Sequence, residues 1–282
     1  MIKQKEIRNK AIEWKVPADT VDKDYVLGHF LSGFFYHFNA QLIFKGGTCL
    51  RKCYFPNYRF SEDLDFSAIE NSFVLKSDDL NDICRKVEAF SGIQFSPETI
   101  EPLKHEDQLK GYQVYIKYWG ANHSRNQLPL PPERWQTRIK LEISTAEVLL
   151  CEPSIKTIHH PYSDQLFSEK QIQTYTIEEI VAEKLRALKQ RSYTAPRDFY
   201  DLYYLTNNFN AKEWQIIKKL FLGKMKHKKL IYGGPDSLFK TSSIKQTEKQ
   251  WKRSLQHQVS SKESVNADLI IKSVIDRIFK YL

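Results

Sequence analysis

No apolar run in this 282-residue sequence approaches the roughly 20 residues that a membrane-spanning helix needs. The first residues, MIKQKEIRNKAIEWK, are charged throughout and lack the apolar centre of a secretory signal. Cysteine is scarce. Cys49, Cys53, Cys84 and Cys151 are too few and too scattered for a disulfide framework, and Cys49 and Cys53 have no second Cys or His pair at a zinc-like spacing. His159 and His160 lack metal-ligand partners nearby in the sequence and read as loop residues. No internal repeat or long low-complexity tract is present. These absences exclude a membrane span and a disulfide scaffold, and they set the expectation of a globular protein in a reducing cytoplasm.

What is present supports a core and a polyanionic partner. Hydrophobic residues make up 41% and aromatics 13%, enough for a packed interior in a chain that can form two sub-domains. The net charge of +9, from 43 Lys and Arg against 34 Asp and Glu, favours partners such as RNA, DNA, nucleotides or an acidic protein. Charge alone does not choose among these, and a generically basic protein has the same balance.

Periodicity divides the chain in two. DTVDKDYVLGHFLSGFFYHF reads as a helix capped by Asp19 or Thr20, with Val26, Phe30, Phe34 and Phe38 recurring at every fourth position. AQLIF (Ala40 to Phe44) reads as a strand running into Gly46-Gly47, followed by a helix over TCLRKCYF. DLDFSAI (Asp63 to Ile69), YQVYIKYW (Tyr112 to Trp119) and WQTRIKLEIS (Trp135 to Ser144) alternate as strands. DDLNDICRKVEAF is an amphipathic helix with Leu80, Ile83, Val87 and Phe90 on one face. Later, TIEEIVAEKLRALKQR opens with the capping-box pair Thr176 and Glu179, and PRDFYDLYYLTNNF starts a helix at Pro196. The chain then reads as helical to Leu282, broken by the loop YGGPDS. The expectation is an α+β (mixed) protein, with a sheet-containing domain over residues 1–170 and a helical domain over 171–282.

The stretch KGGTCLRKCYFPNYRFSEDLDFS, Lys45 to Ser67, combines a diglycine, a basic segment and two carboxylates. On a strand, Asp63 and Asp65 share one face while Leu64 and Phe66 take the other. Two adjacent carboxylates repel unless a cation lies between them or one keeps its proton, and Mg²⁺ prefers such oxygens. Taken alone, D-x-D also describes a solvated strand edge. A diglycine between strand and helix adds backbone N–H groups that can hold a phosphate, although a tight turn also uses glycine.

In this order the motifs resemble the nucleotidyltransferases of the polymerase-beta-like superfamily. The strings KDYVLGHFL, LIFKGGTCLRKCYF, RFSEDLDFS, IKLEIS, TIEEIVAEKLRAL and RDFYDLYYL are similar to the AbiEii/AbiGii toxin branch, which includes MenT-like toxins, over Asp22 to Leu205. The resemblance implies a nucleotidyltransferase-like mixed sheet with flanking helices and a toxin of a toxin–antitoxin or phage-defence system. It implies transfer of a nucleoside monophosphate from an NTP to RNA, with the tRNA 3′ end as acceptor, and a cognate antitoxin as partner; transfer to a protein or small molecule, or nucleotide binding without turnover, are the alternative readings. Gly46, Gly47 and Thr48 would hold the triphosphate, with Arg59 and Ser61 beside the phosphates. Asp63 and Asp65 would bind Mg²⁺ (or Mn²⁺), and Glu142 is the counterpart of the third carboxylate. Two departures stand out: the usual Gly-Ser is Gly-Gly, and the third acid is Glu. Glu142 is equally readable as a strand residue paired with Lys140 or Arg138.

A second cluster follows from the same resemblance. Lys184 would bind phosphate, with Asp198 and Asp201 in the same cleft; without the resemblance, these are a solvated lysine and first-turn acids that share a helix face. KKLFLGKMKHKKL (Lys218 to Leu230) gathers six lysines and His227, readable as an RNA-backbone patch or as a solvated face. The loop YWGANHSRNQ mixes aromatic and basic residues as stacking surfaces do, or buries Trp119 in the core.

Overall fold

The computed structural model describes residues 1–123, 128–190, 196–239, 241–260 and 266–282. They form two compact units: Met1–Glu147 with Pro153–Thr174, and Val148–Glu152 with Tyr175–Leu282.

The first unit begins with α1 (Gln4–Trp14) and α2 (Ala18–Phe38). Its first strand, β1 (Leu42–Lys45), enters the short α3 (Gly46–Cys49), which runs on as a π-helical segment over Leu50–Tyr54. Then come β2 (Asp63–Ala68), α4 (Ser77–Ser91), β3 (Gln94–Pro97), β4 (Glu101–His105), β5 (Gln108–Trp119), β6 (Arg138–Ser144), β7 (Ser154–Lys156) and β8 (Ile172–Thr174). They make one sheet in the order β3-β5-β6-β2-β1-β8-β7, with β4 on the free part of β5. The β2–β6 and β1–β8 pairs are parallel and the other pairs antiparallel. Val26, Phe30, Phe34 and Phe38 of α2 are all buried, as their spacing implies. The Phe34 and Phe35 rings lie 4.9 and 5.6 Å from Phe66 of β2, so α2 covers one face of the sheet. The opposite face is thereby left to polar side chains.

Several local expectations need correction. α2 starts at Ala18 after Pro17 with no side-chain cap. Asp19 instead accepts a hydrogen bond from the Asn122 side chain, and Asp22 accepts from the Ala121 and Asn122 backbone N–H groups. These acids fasten the turn after β5. Phe90 is half exposed: one more helical step puts Ser91, not Phe90, on the buried face of α4, and the Phe90 ring meets Phe167 edge-on. β5 begins at Gln108, four residues earlier than expected, because Glu106 and Asp107 both adopt positive φ (48° and 60°) and close a hairpin with β4. β6 begins at Arg138 rather than Trp135, whose indole N–H is spent on Leu130 O.

The second unit holds α5 (Ile177–Gln190), α6 (Pro196–Thr206), α7 (Ala211–His227), α8 (Thr241–Leu255) and α9 (Ala267–Tyr281). The expected α5 capping box is half made: Thr176 Oγ1 accepts from Glu179 N. The Glu179 side chain is drawn inward, where it pairs with Lys224 Nζ at 2.9 Å and accepts from Leu150 and Cys151 N–H. Ile172–Thr174, placed by periodicity in the helical domain, pairs with β1 and β7 and belongs to the sheet unit. Among the described residues no helix is long and apolar enough to cross a membrane.

Candidate active site

Strand register assembles the polar face. β1 pairs Lys45 with Asp65, and β2 pairs Asp65 with Glu142 and Asp63 with Lys140. Residues in register on neighbouring strands lie about 5 Å apart and point the same way. Lys45, Asp65 and Glu142 therefore form one row, and Asp63 and Lys140 the next. Leu64, Phe66, Leu141 and Ile143 are buried on the other side.

The glycine turn is shaped by this row. Gly46 has φ +80°, and a Cβ there would lie 2.6 Å from Asp65 Oδ2. At Gly47 a Cβ would sit 2.9 Å from both Arg59 Nη2 and Ser61 Oγ. Gly46 is thus required by its backbone angle and by the close approach of Asp65, whereas at Gly47 a side chain would have to displace the tips of Arg59 and Ser61. Thr48 Oγ1 donates to the Asp63 carbonyl, tying α3 to β2. The first N–H groups of a helix have no partners within it, so the turn presents donors beside the carboxylates. Arg59 and Ser61 are buried here, with Arg59 Nη1 donating to Phe60 O at 3.1 Å.

Electrostatically the row is acid-rich. Burial, followed by the charges of Asp63 and Glu142, pushes Asp65 up to about 7, with Lys45 and Lys140 offsetting only part. Lys140 Nζ donates to Glu142 Oε2 at 2.8 Å. Burial opposes the charge of Lys140, yet this bond and the Glu142 charge push its value up. Arg138 instead lies over the Tyr115 ring at 4.0 Å, so Lys140 is the partner of Glu142. Three carboxylates held together, with Asp65 pushed up by burial and by the other two, fit a divalent cation, which would relieve their repulsion.

Arg51 and Lys52 turn into the interior, where Arg51 Nε and Lys52 Nζ donate to Asp24 at 2.8 and 2.7 Å. Tyr162 donates to the same carboxylate, and Arg51 stacks 3.5 Å from the Phe60 ring centroid. Because the π-helical turn over Leu50–Tyr54 brings consecutive basic residues onto one acid, this cluster anchors α2. The cations beside the carboxylate row are Lys45 and Lys140. Lys45 was missed as a candidate because only the β1–β2 register places it opposite Asp65.

In the second unit, Lys184 Nζ lies 2.5 Å from Asp201 Oδ2 and 3.3 Å from Asp198 Oδ1. Asp201 is fully buried and Asp198 nearly so. The α7 lysine run is split. Lys224 is buried in the Glu179 pair, donates to Val148 O and lies over the Tyr175 ring, whereas Lys219, Lys226 and Lys229 are exposed. Trp119 is buried and stacks on His123, so it is a core residue. The remainder of that loop, 124–127, lies outside the described residues. His160, left without partners by the sequence, meets His29 and Asp164.

A sequence profile described as "Nucleotidyl transferase AbiEii toxin, Type IV TA system" matches residues 29–274. The chain is similar in fold to MenT4, a nucleotidyltransferase toxin from Mycobacterium tuberculosis, with a TM-score of 0.63 and 18% identity over 100% of this chain and 89% of that one. It is also similar to a candidate nucleotidyltransferase from H. pylori, with a TM-score of 0.51 and 19% identity over 91% of this chain and 95% of that one. Among curated proteins none matches.

Proposed function

Because this chain belongs to the AbiEii nucleotidyl transferase toxin family, we propose that it transfers a nucleoside monophosphate from an NTP to RNA, with the tRNA 3′ end as acceptor. The observation that carries this reading is the carboxylate cluster of Asp63, Asp65 and Glu142, with Asp65 and Glu142 in register on β2 and β6, set against the Gly46-Gly47 turn. The transferase activity and the toxin class come with the family. The acceptor, the ion and the individual roles are this proposal's own.

Asp63 and Asp65 would hold Mg²⁺ (or Mn²⁺), with Glu142 as third oxygen donor once Lys140 releases it. Such an ion, when bound, neutralises triphosphate charge and polarises the reacting phosphoryl group. Gly46 and Gly47 offer backbone N–H groups to the triphosphate, and Thr48 keeps their turn fixed to β2. Arg59 and Ser61 stand against that turn and supply charge and a hydroxyl to the phosphates. An acceptor hydroxyl attacks the α-phosphorus, its proton passes to a carboxylate of the row, and pyrophosphate leaves with the electrons of the broken bond. Catalysis by such a site is mostly positioning and charge stabilisation. In the second unit, Lys184 contributes phosphate binding, and Asp198 and Asp201 orient its ammonium. The net charge of +9 suits an RNA acceptor. The type IV toxin–antitoxin class brings a cognate antitoxin as partner.

The test incubates the protein with each of four α-labelled NTPs, Mg²⁺ and total RNA. Label should enter the tRNA fraction with at least one nucleotide. Label in protein alone, or none with any nucleotide, contradicts the RNA assignment.

A further inference from the structure

Within the first unit, but apart from the carboxylate row, lies a cluster that the transfer reaction does not use. His29 sits in the middle of α2 with a fully buried side chain. His160 and Asp164 come from the segment between β7 and β8. His160 Nε2 is 3.0 Å from Asp164 Oδ1, and His29 Nε2 is 3.3 Å from Asp164 Oδ2. One ligand atom from each residue can be chosen so that all lie within 4.8 Å of one another. Gly28, next to His29, leaves room for the second imidazole: a Cβ there would stand 3.0 Å from His160 Nδ1.

Hydrogen bonding accounts for only part of this arrangement: His160 Nε2 and the Tyr25 hydroxyl reach Asp164, but His29 is left over. Neither ring nitrogen of His29 has a hydrogen-bond partner, and its 3.3 Å approach to Asp164 is not a directed bond. His160 Nδ1 is also buried without one. Buried polar atoms in native proteins are paired almost without exception, so a buried His29 with both nitrogens unpaired beside this carboxylate calls for a missing partner. A cation bound by imidazole nitrogens and a carboxylate oxygen at about 2.0–2.2 Å sets its ligand atoms roughly 3.3 Å apart, so a set whose atoms lie within 4.8 Å would need to contract slightly around the ion. Two imidazoles with one carboxylate select a transition ion such as Zn²⁺ over Mg²⁺, which prefers oxygen alone. A surface pocket of about 470 Å³, lined in part by Ile2, Lys5, Glu6 and Ser163, reaches Asp164 and opens that side of the cluster to solvent.

We propose that His29, His160 and Asp164 form a second cation site, for Zn²⁺ or a closely similar divalent transition ion, that clamps the β7–β8 segment to α2. Tyr25, whose hydroxyl donates to Asp164 Oδ2 at 2.6 Å, orients the carboxylate. The site is structural. It steadies the segment whose last strand, β8, pairs with β1, the strand leading into the glycine turn.

The test uses the full chain, stripped with chelator and titrated with ZnCl₂ in magnesium-free buffer, with Co²⁺ absorption as a second readout. One Zn²⁺ per chain should bind, thermal stability should rise, and Co²⁺ should give the visible bands of a low-coordinate nitrogen–oxygen site. His160→Gln and Asp164→Ala should each weaken Zn²⁺ binding by more than about tenfold, while Asp63→Asn leaves it unchanged. Failure of the folded wild-type chain to bind Zn²⁺ would overturn the proposal. So would equal binding by His160→Gln and Asp164→Ala, or loss of binding in Asp63→Asn, which would move the ion to the carboxylate row. The Co²⁺ spectrum of the unmutated chain keeps the question decidable if a variant fails to fold.

Discussion

At Gly46 the backbone angle and the neighbouring carboxylate act together. Alanine there must adopt φ near +80° and push its Cβ against Asp65 Oδ2, at a cost of about 1–3 kcal/mol. Gly46→Ala is therefore expected to lower the melting temperature and to reduce nucleotide transfer by more than tenfold, because Asp65 must move. Gly47 explains the departure from Gly-Ser. Ser61 Oγ and Arg59 Nη2 already stand where a serine Cβ would need clearance, so Gly47→Ser should reduce transfer in steady-state assays, and adding Ser61→Ala should relieve part of the loss. Asp65 carries a stability signature of its own. Its folded value is raised to about 7, against an unfolded value near 4. Its contribution to stability is fully present below about pH 4 and is lost as pH rises through about 7. Metal-free Asp65→Asn should consequently be more stable than wild type at pH 8 by about 1–3 kcal/mol, the partial exposure of the site reducing the full effect. The advantage should shrink towards pH 5 in denaturant titrations. The Asp63/Asp65 pair and the diglycine, to which the proposal gives metal and phosphate, stood out in the sequence because both are local. Lys45 and Lys140 became its neighbours only through strand register, which no local pattern states.

Among the secondary-structure elements, periodicity located those that bury one clear stripe, as α4 and α5 do, and α2, which is buried on every side from Asp24 to Phe35. It passed over α1, which is polar on most positions, and β3, β4, β7 and β8, three to five residues each and held by their neighbours in the sheet. Charge runs misled for a related reason. A lysine or arginine can be drawn inside when an acid distant in sequence waits there, as Asp24 waits for Arg51 and Lys52 and Glu179 for Lys224. The α7 run thus contains two kinds of lysine. Lys224→Ala leaves Glu179 buried and uncompensated and should cost about 3–5 kcal/mol in chemical denaturation. Lys226→Ala and Lys229→Ala, both exposed, should leave stability within about 0.5 kcal/mol. If these exposed lysines meet an RNA backbone, their removal should instead weaken RNA binding.

For the molecule as a whole, the α+β class was readable because sheet-forming and helix-forming patterns are separated along the chain. The family was readable from the order of its motifs, whereas the His29, His160 and Asp164 cluster was not. His29 lies more than 100 residues from His160 and Asp164 in sequence, and only the fold brings α2 against the β7–β8 segment. A net charge of +9 predicts that transfer to RNA declines steeply with salt, since each phosphate contact releases counterions. The Michaelis constant for RNA should rise as NaCl increases from 50 to 200 mM, while that for a small nucleotide changes far less. The central claim is that the carboxylate row on β2 and β6 performs nucleotidyl transfer. Its most direct measurement compares pyrophosphate release and RNA labelling from an α-labelled NTP by wild type and by folded Asp63→Asn and Asp65→Asn proteins. The account predicts that both variants lose more than about 100-fold of both signals together. Transfer by either variant at the wild-type rate would contradict it.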